Sequence, residues 1–210
     1  GGRKLWLHVF LILYVIGNFN LQIEAYIFNV TNRAKTLELL LVGLPVSFFA
    51  SYLLCYFFKP LRKRESVSVV FQYRKLHHWI GRILAANFLY FFFYVIAGMF
   101  MQALTPNFEE YYGDKIPPFL TIILTNMFFR GFVFVGIAIL IDQTLLLSKW
   151  RKALVVGVVF AILGAVAPLI PPSELMPDYI RFAHGIEVGL SNFLYGMTAL
   201  LIIQSKRIAQ

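Results

Sequence analysis

Residues 79–104 read WIGRILAANFLYFFFYVIAGMFMQAL, a run in which Arg82 is the one charged side chain. An α-helix rises about 1.5 Å per residue, and a bilayer core about 30 Å thick needs roughly 20 mostly apolar residues to cross it. The stretch meets that requirement with residues to spare. It is too long, and too uniform in polarity, for a barrel strand, which would show alternating segments of about ten residues. Backbone groups in lipid must satisfy one another, so such a run is a helix. Five further runs pass the same test, at 5–28, 36–58, 118–147, 153–170 and 179–204. The expected fold is all-α: a polytopic transmembrane helical bundle of six spans forming one domain over 1–210, with a basic loop at 59–78.

Composition agrees. Of 210 residues, 60% are hydrophobic, 17% aromatic and 14% charged, with a mean hydropathy of +0.74. Soluble domains carry about 25% charged residues, so a water-soluble enzyme, a disordered chain, a collagen and a disulfide scaffold are all excluded. The single cysteine, Cys55, sits in an apolar run and has no intrachain partner to pair with. A net charge of +9 would suggest nucleic acid in a soluble protein. Here the cations cluster at the ends of apolar runs, so no nucleic-acid partner is expected.

The connections alternate in charge. Arg3, Lys4, Lys59, Arg62, Lys63, Arg64, Arg74, Lys75, Lys149, Arg151, Lys152, Lys206 and Arg207 fall on one side, against Arg33, Lys35 and Lys115 on the other. By the positive-inside rule both termini are cytoplasmic, N-in and C-in, in a plasma or bacterial inner membrane. The basic loop would also attract anionic lipid headgroups at the cytoplasmic face, by about 1 kcal/mol per cation near the surface. The first apolar run is long enough to span and no small-residue cleavage site follows it, so no cleavable signal peptide is expected. Glu65 to Tyr73, ESVSVVFQY, alternates polar and apolar and reads as a short interfacial strand or extended piece. Asn29-Val30-Thr31 is a glycosylation tripeptide on the outer side.

Ionisable groups inside a span cost about 2.5–3.5 kcal/mol at its centre, so each needs a partner, water or a task. The first span holds Asn18, Asn20, Gln22 and Glu24, with Asn20 and Glu24 on one helix face. The fourth holds Asn126 and Arg130, again four apart. In the sixth, Arg181, His184, Glu187 and Ser191 form one polar stripe, followed by Asn192. Glu24, Asn126, His184 and Glu187 fall in the outer half, while Asn20, Arg130 and Asn192 lie near the midplane. Together they would form a polar pocket open to the outside and floored by Arg130. Gly185, Gly189 and Gly196 make a small-residue face that could pack against a partner helix. The bland reading is a network of interhelical bonds averaging about 0.6 kcal/mol each, which would explain stability alone.

The leading functional expectation is binding or transport of a small molecule or ion through this pocket. Glu24, His184 and Glu187 would be its proton- or cation-sensitive groups, and Arg130 its anion contact or counter-ion. The same residues allow a membrane-embedded enzyme acting on a lipid or prenyl substrate. In that case Glu24, His184 and Glu187 would be acid, base or ligands to a divalent metal, since imidazole and carboxylate together suit zinc, iron or manganese. A third expectation is a scaffold or assembly subunit of a membrane complex. The tetrapeptide Asn87-Phe88-Leu89-Tyr90 recurs as Asn192-Phe193-Leu194-Tyr195, the kind of internal echo an inverted repeat leaves.

Thr125-Asn126-Met127-Phe128-Phe129-Arg130-Gly131 resembles the EExxxR signature, often ending FRG, of the CAAX-protease-like intramembrane glutamate proteases. In that family the paired glutamates are catalytic and histidines on two later helices complete the site. Thr125 and Asn126 stand where the glutamates would be. The later FxxxH reads Phe160 to Gly164 without its histidine, and His184 alone matches the last helix. The resemblance covers seven residues and implies a non-proteolytic relative.

Overall fold

A computed structural model of the chain describes residues 2–58, 69–71, 75–145, 147–171, 176–204 and 207–209. Six helices are long and apolar enough to cross a membrane: α1 (Gly2–Ile27), α2 (Arg33–Phe57), α3 (Leu76–Leu104), α5 (Phe119–Thr144), α6 (Lys149–Leu169) and α7 (Asp178–Ile203). A short helix, α4 (Phe108–Tyr112), links α3 to α5 and was not foreseen. The six spans fall within a few residues of the expected runs. α6 starts earlier, because Ser148 precedes a first turn of Lys149, Trp150 and Arg151 whose polar groups extend the helix beyond its apolar part. Most of the basic loop at 59–78 lies outside the described residues. Within the segment expected to be extended, β1 (Val69–Phe71) pairs antiparallel with β2 (Arg207–Ala209), Val70 opposite Ile208.

Local signals explain the ends of α1 and α2. Asn29 takes a left-handed conformation, φ 51°, while Val30 and Thr31 both return their N–H groups to the Ala25 carbonyl. Asparagine tolerates that conformation better than most residues, which suits it to close a helix. Two residues later the Asn32 side chain accepts from the Lys35 N–H at 2.8 Å and opens α2.

α7 is the central helix, packed on α6, α3 and α5; α1 packs on α5 and α6, and α2 mainly on α1. Lipid tails are as apolar as leucine, so burial from water does not hold such helices together; close packing does. The α6–α7 crossing shows how. A β-carbon on Gly196 would lie 2.9 Å from the Gly157 α-carbon, and one on Gly157 would lie 2.8 Å from the Phe193 carbonyl. The two backbones touch. Gly185 and Gly189 also face α6, through Leu169 and Ala165. The small-residue face expected to meet a partner helix is therefore occupied by the same chain.

Beside that crossing sits an aromatic cluster of Tyr90, Phe134, Phe160 and Tyr195, with ring centroids 4.9–6.1 Å apart. Lys152, expected as a loop cation, is fully buried, and its Nζ donates to Asp142 Oδ1 at 2.7 Å and to the Asp142 carbonyl at 3.0 Å.

Candidate functional site

Above the aromatic cluster, towards the end of the bundle that carries α4, the helices part around a cavity of about 480 Å³. Its walls are mostly apolar, and its polar residues come from widely separated parts of the chain. α1 brings Asn20 and Glu24; α3 brings Tyr90, Tyr94 and Gln102; α5 brings Arg130; α7 brings Arg181, His184, Glu187, Ser191, Asn192 and Tyr195. Glu24, Arg130, His184 and Glu187, singled out from three separate spans, thus line one space.

Three of the contributing helices depart from α geometry next to these residues. In α1, residues Val15–Phe19 form a π turn in which the Asn20 N–H reaches the Val15 carbonyl. In α5, Asn126–Arg130 does the same, with the Gly131 N–H bonded to the Asn126 carbonyl. In α6, Ile162–Val166 is the third, closed by Ala167 onto Ile162. Such single-turn bulges are frequent at functional sites. Each adds a residue to one turn and so re-aims the side chains that follow. Pro168 contributes in α6, because it cannot donate to the Gly164 carbonyl four residues back. In α5 the shift turns the Gly131 N–H away from the Met127 carbonyl. Asn87 Nδ2 of α3 donates to that carbonyl instead, at 2.7 Å.

Arg130 shows what the re-aimed turn achieves. Its guanidinium is 3% exposed and donates three bonds: Nε to Asn20 Oδ1 at 3.0 Å, Nη1 to Asn126 Oδ1 at 3.0 Å, and Nη2 to Glu24 Oε2 at 2.6 Å. The rings of Tyr94 and Tyr90 stand 5.3 and 5.8 Å from it, within cation–π range. Asn126 is held in turn, its Nδ2 donating to the Ile122 carbonyl. Expected as an anion contact or a counter-ion, Arg130 pairs with Glu24 and ties α1 to α5, three of its N–H groups bonded to the protein's own acceptors. Asn126 serves that clamp and is not part of the cavity lining.

The α7 stripe divides. Near the mouth, Arg181 donates to the carbonyls of Ile170 and Pro171 and pairs with Asp178, so it caps the end of α6. Ser191 returns its hydroxyl to the Val188 carbonyl on its own helix. Between them, His184 Nδ1 and Glu187 Oε2 are 3.1 Å apart. Deeper, Asn192 fills the space left by Gly164, where a β-carbon would come within 2.6 Å of its Nδ2. The Tyr195 hydroxyl, on a residue 1% exposed, has no hydrogen-bond partner among the described residues. In α4, at the mouth, burial and then the neighbouring Tyr111 hold the Tyr112 phenol above its usual range, so it stays a neutral donor.

Among the described residues no three His, Cys, Asp or Glu side chains gather as metal ligands. The metal set expected of Glu24, His184 and Glu187 is therefore not assembled, because Glu24 turns to Arg130. His77 and His78 are exposed at the opposite end, at the start of α3.

Tyr90, Tyr94, Asn87 and Tyr195 were not singled out as site residues. One signal was available: Tyr90 and Tyr94 are four apart on one face of α3, and Asn87 lies a turn before them in an otherwise apolar run. Comparison of the chain with models of known families, with curated proteins and with solved structures finds no match.

Proposed function

We propose that this protein binds a small molecule in the cavity between α1, α3, α5 and α7, and transports it. The supporting observation is the cavity itself, about 480 Å³ with apolar walls and a His184–Glu187 pair facing into it. That size falls within the roughly 300–1,000 Å³ of small-molecule sites, and mostly apolar walls with a few placed polar groups are their usual make-up. A divalent metal held by His, Cys or carboxylate ligands would need at least three of them together, which the described residues do not gather. The sequence carries thirteen Lys or Arg in or beside the connections on one side of the spans and three in those on the other, so in this reading the termini face the cytoplasm and the cavity opens to the opposite side.

Gly98 offers a direct test. It lines the cavity at an exposed position, and a β-carbon there would have nothing within 4 Å, so Gly98→Trp adds bulk at the cavity edge without disturbing the helix. A panel of small amphiphiles is screened by thermal shift against the purified protein in nanodiscs. The reading expects hits that disappear in Gly98→Trp and that accumulate in proteoliposomes. No hit, or hits unaffected by Gly98→Trp, overturns the cavity as a binding site. Binding without accumulation overturns transport.

A second reading rests on the His184–Glu187 pair standing within an apolar cleft, an arrangement suited to acid–base chemistry on a lipid. Mass spectrometry of a bound amphiphile after incubation separates the two: a converted product supports the enzyme, an unchanged ligand the binding protein.

A further inference from the structure

We infer that the cavity selects a cationic amphiphile: a protonated amine on a hydrocarbon chain, the ammonium at Glu187 and the chain along the apolar wall. This rests on the cavity being a binding site and adds the charge and shape of what it takes.

The charges of the lining do not pair off evenly. Arg130 and Glu24 neutralise each other at 2.6 Å, and the remaining Arg130 bonds go to two asparagines. Arg181 is matched by Asp178 and turned onto the end of α6. What is left is Glu187, whose charged neighbour is an imidazole at 3.1 Å. An imidazole cancels a carboxylate only while it carries a proton, whereas an ammonium does so permanently. A carboxylate held away from water needs such a partner, since burying an unpaired charge is far costlier than burying a paired one. An anionic headgroup would meet the Glu187 and Glu24 carboxylates, and the Arg130 charge that could receive it is already neutralised by Glu24.

The neighbouring groups suit an ammonium too. It carries three donors and no acceptor. Among the described residues the Tyr195 hydroxyl makes no hydrogen bond, and it lines the cavity together with Glu187 and Asn192, whose side-chain oxygens are acceptors. Tyr195 is the sharpest of these, because a buried hydroxyl left without a partner is costly.

The walls indicate the rest of the ligand. Met99, Met101 and Met176, three of the chain's five methionines, line the cavity with Phe93 and Phe119. Methionine is unbranched and adapts to irregular apolar shapes, so this wall fits a flexible hydrocarbon chain better than a rigid polar solute.

The test uses three probes of equal length, decylamine, decanol and decanoate, binding the full chain in nanodiscs at neutral pH, with empty nanodiscs as the blank. Decylamine is expected to bind about tenfold more tightly than decanol, the size of one charge-assisted hydrogen bond, and decanoate most weakly. Glu187→Gln is expected to bring decylamine and decanol together while decanol affinity holds. Should Glu187→Gln fail to fold, Glu187→Asp keeps the charge and is expected to keep the amine preference. Decanol or decanoate binding as well as decylamine in the wild type, with Gly98→Trp abolishing all three, overturns the selectivity and leaves the cavity reading intact. Binding of none of the three, or binding that Gly98→Trp does not change, overturns both.

Discussion

Asn87 of α3 and Gly131 of α5 interlock: the asparagine Nδ2 donates to the Met127 carbonyl, and its Oδ1 occupies the place a β-carbon on Gly131 would take. The relationship recurs. Asn18 of α1 fills the space beside Gly43 of α2 and donates to the Leu39 carbonyl, and Asn192 of α7 fills the space beside Gly164 of α6. Three asparagines in apolar spans each rest against a glycine of the next helix, and each lies in or against a π turn. The Asn-Phe-Leu-Tyr echo is part of this pattern, since Asn87 and Asn192 play matching parts and the rings of Tyr90 and Tyr195 meet at 5.1 Å.

This interlock makes the effects of Asn87 and Gly131 non-additive. Asn87→Ala removes one interhelical bond and is expected to cost about 1 kcal/mol in unfolding by denaturing detergent. Gly131→Ala displaces the asparagine and crowds the Asn126 carbonyl, costing about 1–3 kcal/mol. The double variant should be more stable than the sum of the two implies. Simple additivity would show that the two residues do not share a site.

Arg130 holds α1 to α5 through a planar fork, so charge alone cannot replace it. Arg130→Ala leaves Glu24 buried without its partner and is expected to cost about 3–5 kcal/mol. Arg130→Lys should recover little, because a single ammonium cannot meet Asn20, Asn126 and Glu24 in that geometry. Wild-type unfolding of Arg130→Lys would refute the clamp.

Lys152 and Asp142 make the comparable pair at the other end of the bundle. Lys152→Met is expected to destabilise, by removing the buried cation that pairs with the Asp142 carboxylate. Adding Asp142→Leu should restore most of the loss, as apolar replacement of a whole buried pair often does. If the double variant is no more stable than Lys152→Met, the pair is not what Lys152 contributes.

Orientation is open to labelling in a Cys55→Ser background. Asp114→Cys, beyond α4, should react with a membrane-impermeant maleimide on intact cells, and Arg151→Cys, at the start of α6, only after permeabilisation. The reverse pattern would invert the proposed topology and move the cavity mouth to the cytoplasmic side.

The spans were legible because length and polarity suffice to define them: the Phe119–Thr144 and Asp178–Ile203 helices were expected at 118–147 and 179–204. The gathering of Glu24, Arg130, His184 and Glu187 could be argued from cost, since hydrocarbon gives such groups few other places. Their individual roles were not legible. Whether Arg130 faces a ligand or Asn20 depends on one extra residue in a helical turn, which no periodicity reveals. The π turns themselves carry no distinct composition beyond a nearby Gly17, Gly131 or Gly164. The role of the α7 glycines was equally hidden, because a small-residue face looks the same whether α6 or another chain covers it.

The peripheral place of α2 has a bearing on how the cavity is reached. Val30, just before this helix, and Leu39 within it form part of the lining, yet α2 leans mainly on α1 and presents Leu41, Phe49 and Phe57 outward. This wall leans on one neighbour, so it would yield mainly by parting from α1. A solute already dissolved among acyl chains would then slip in sideways, without first escaping into water.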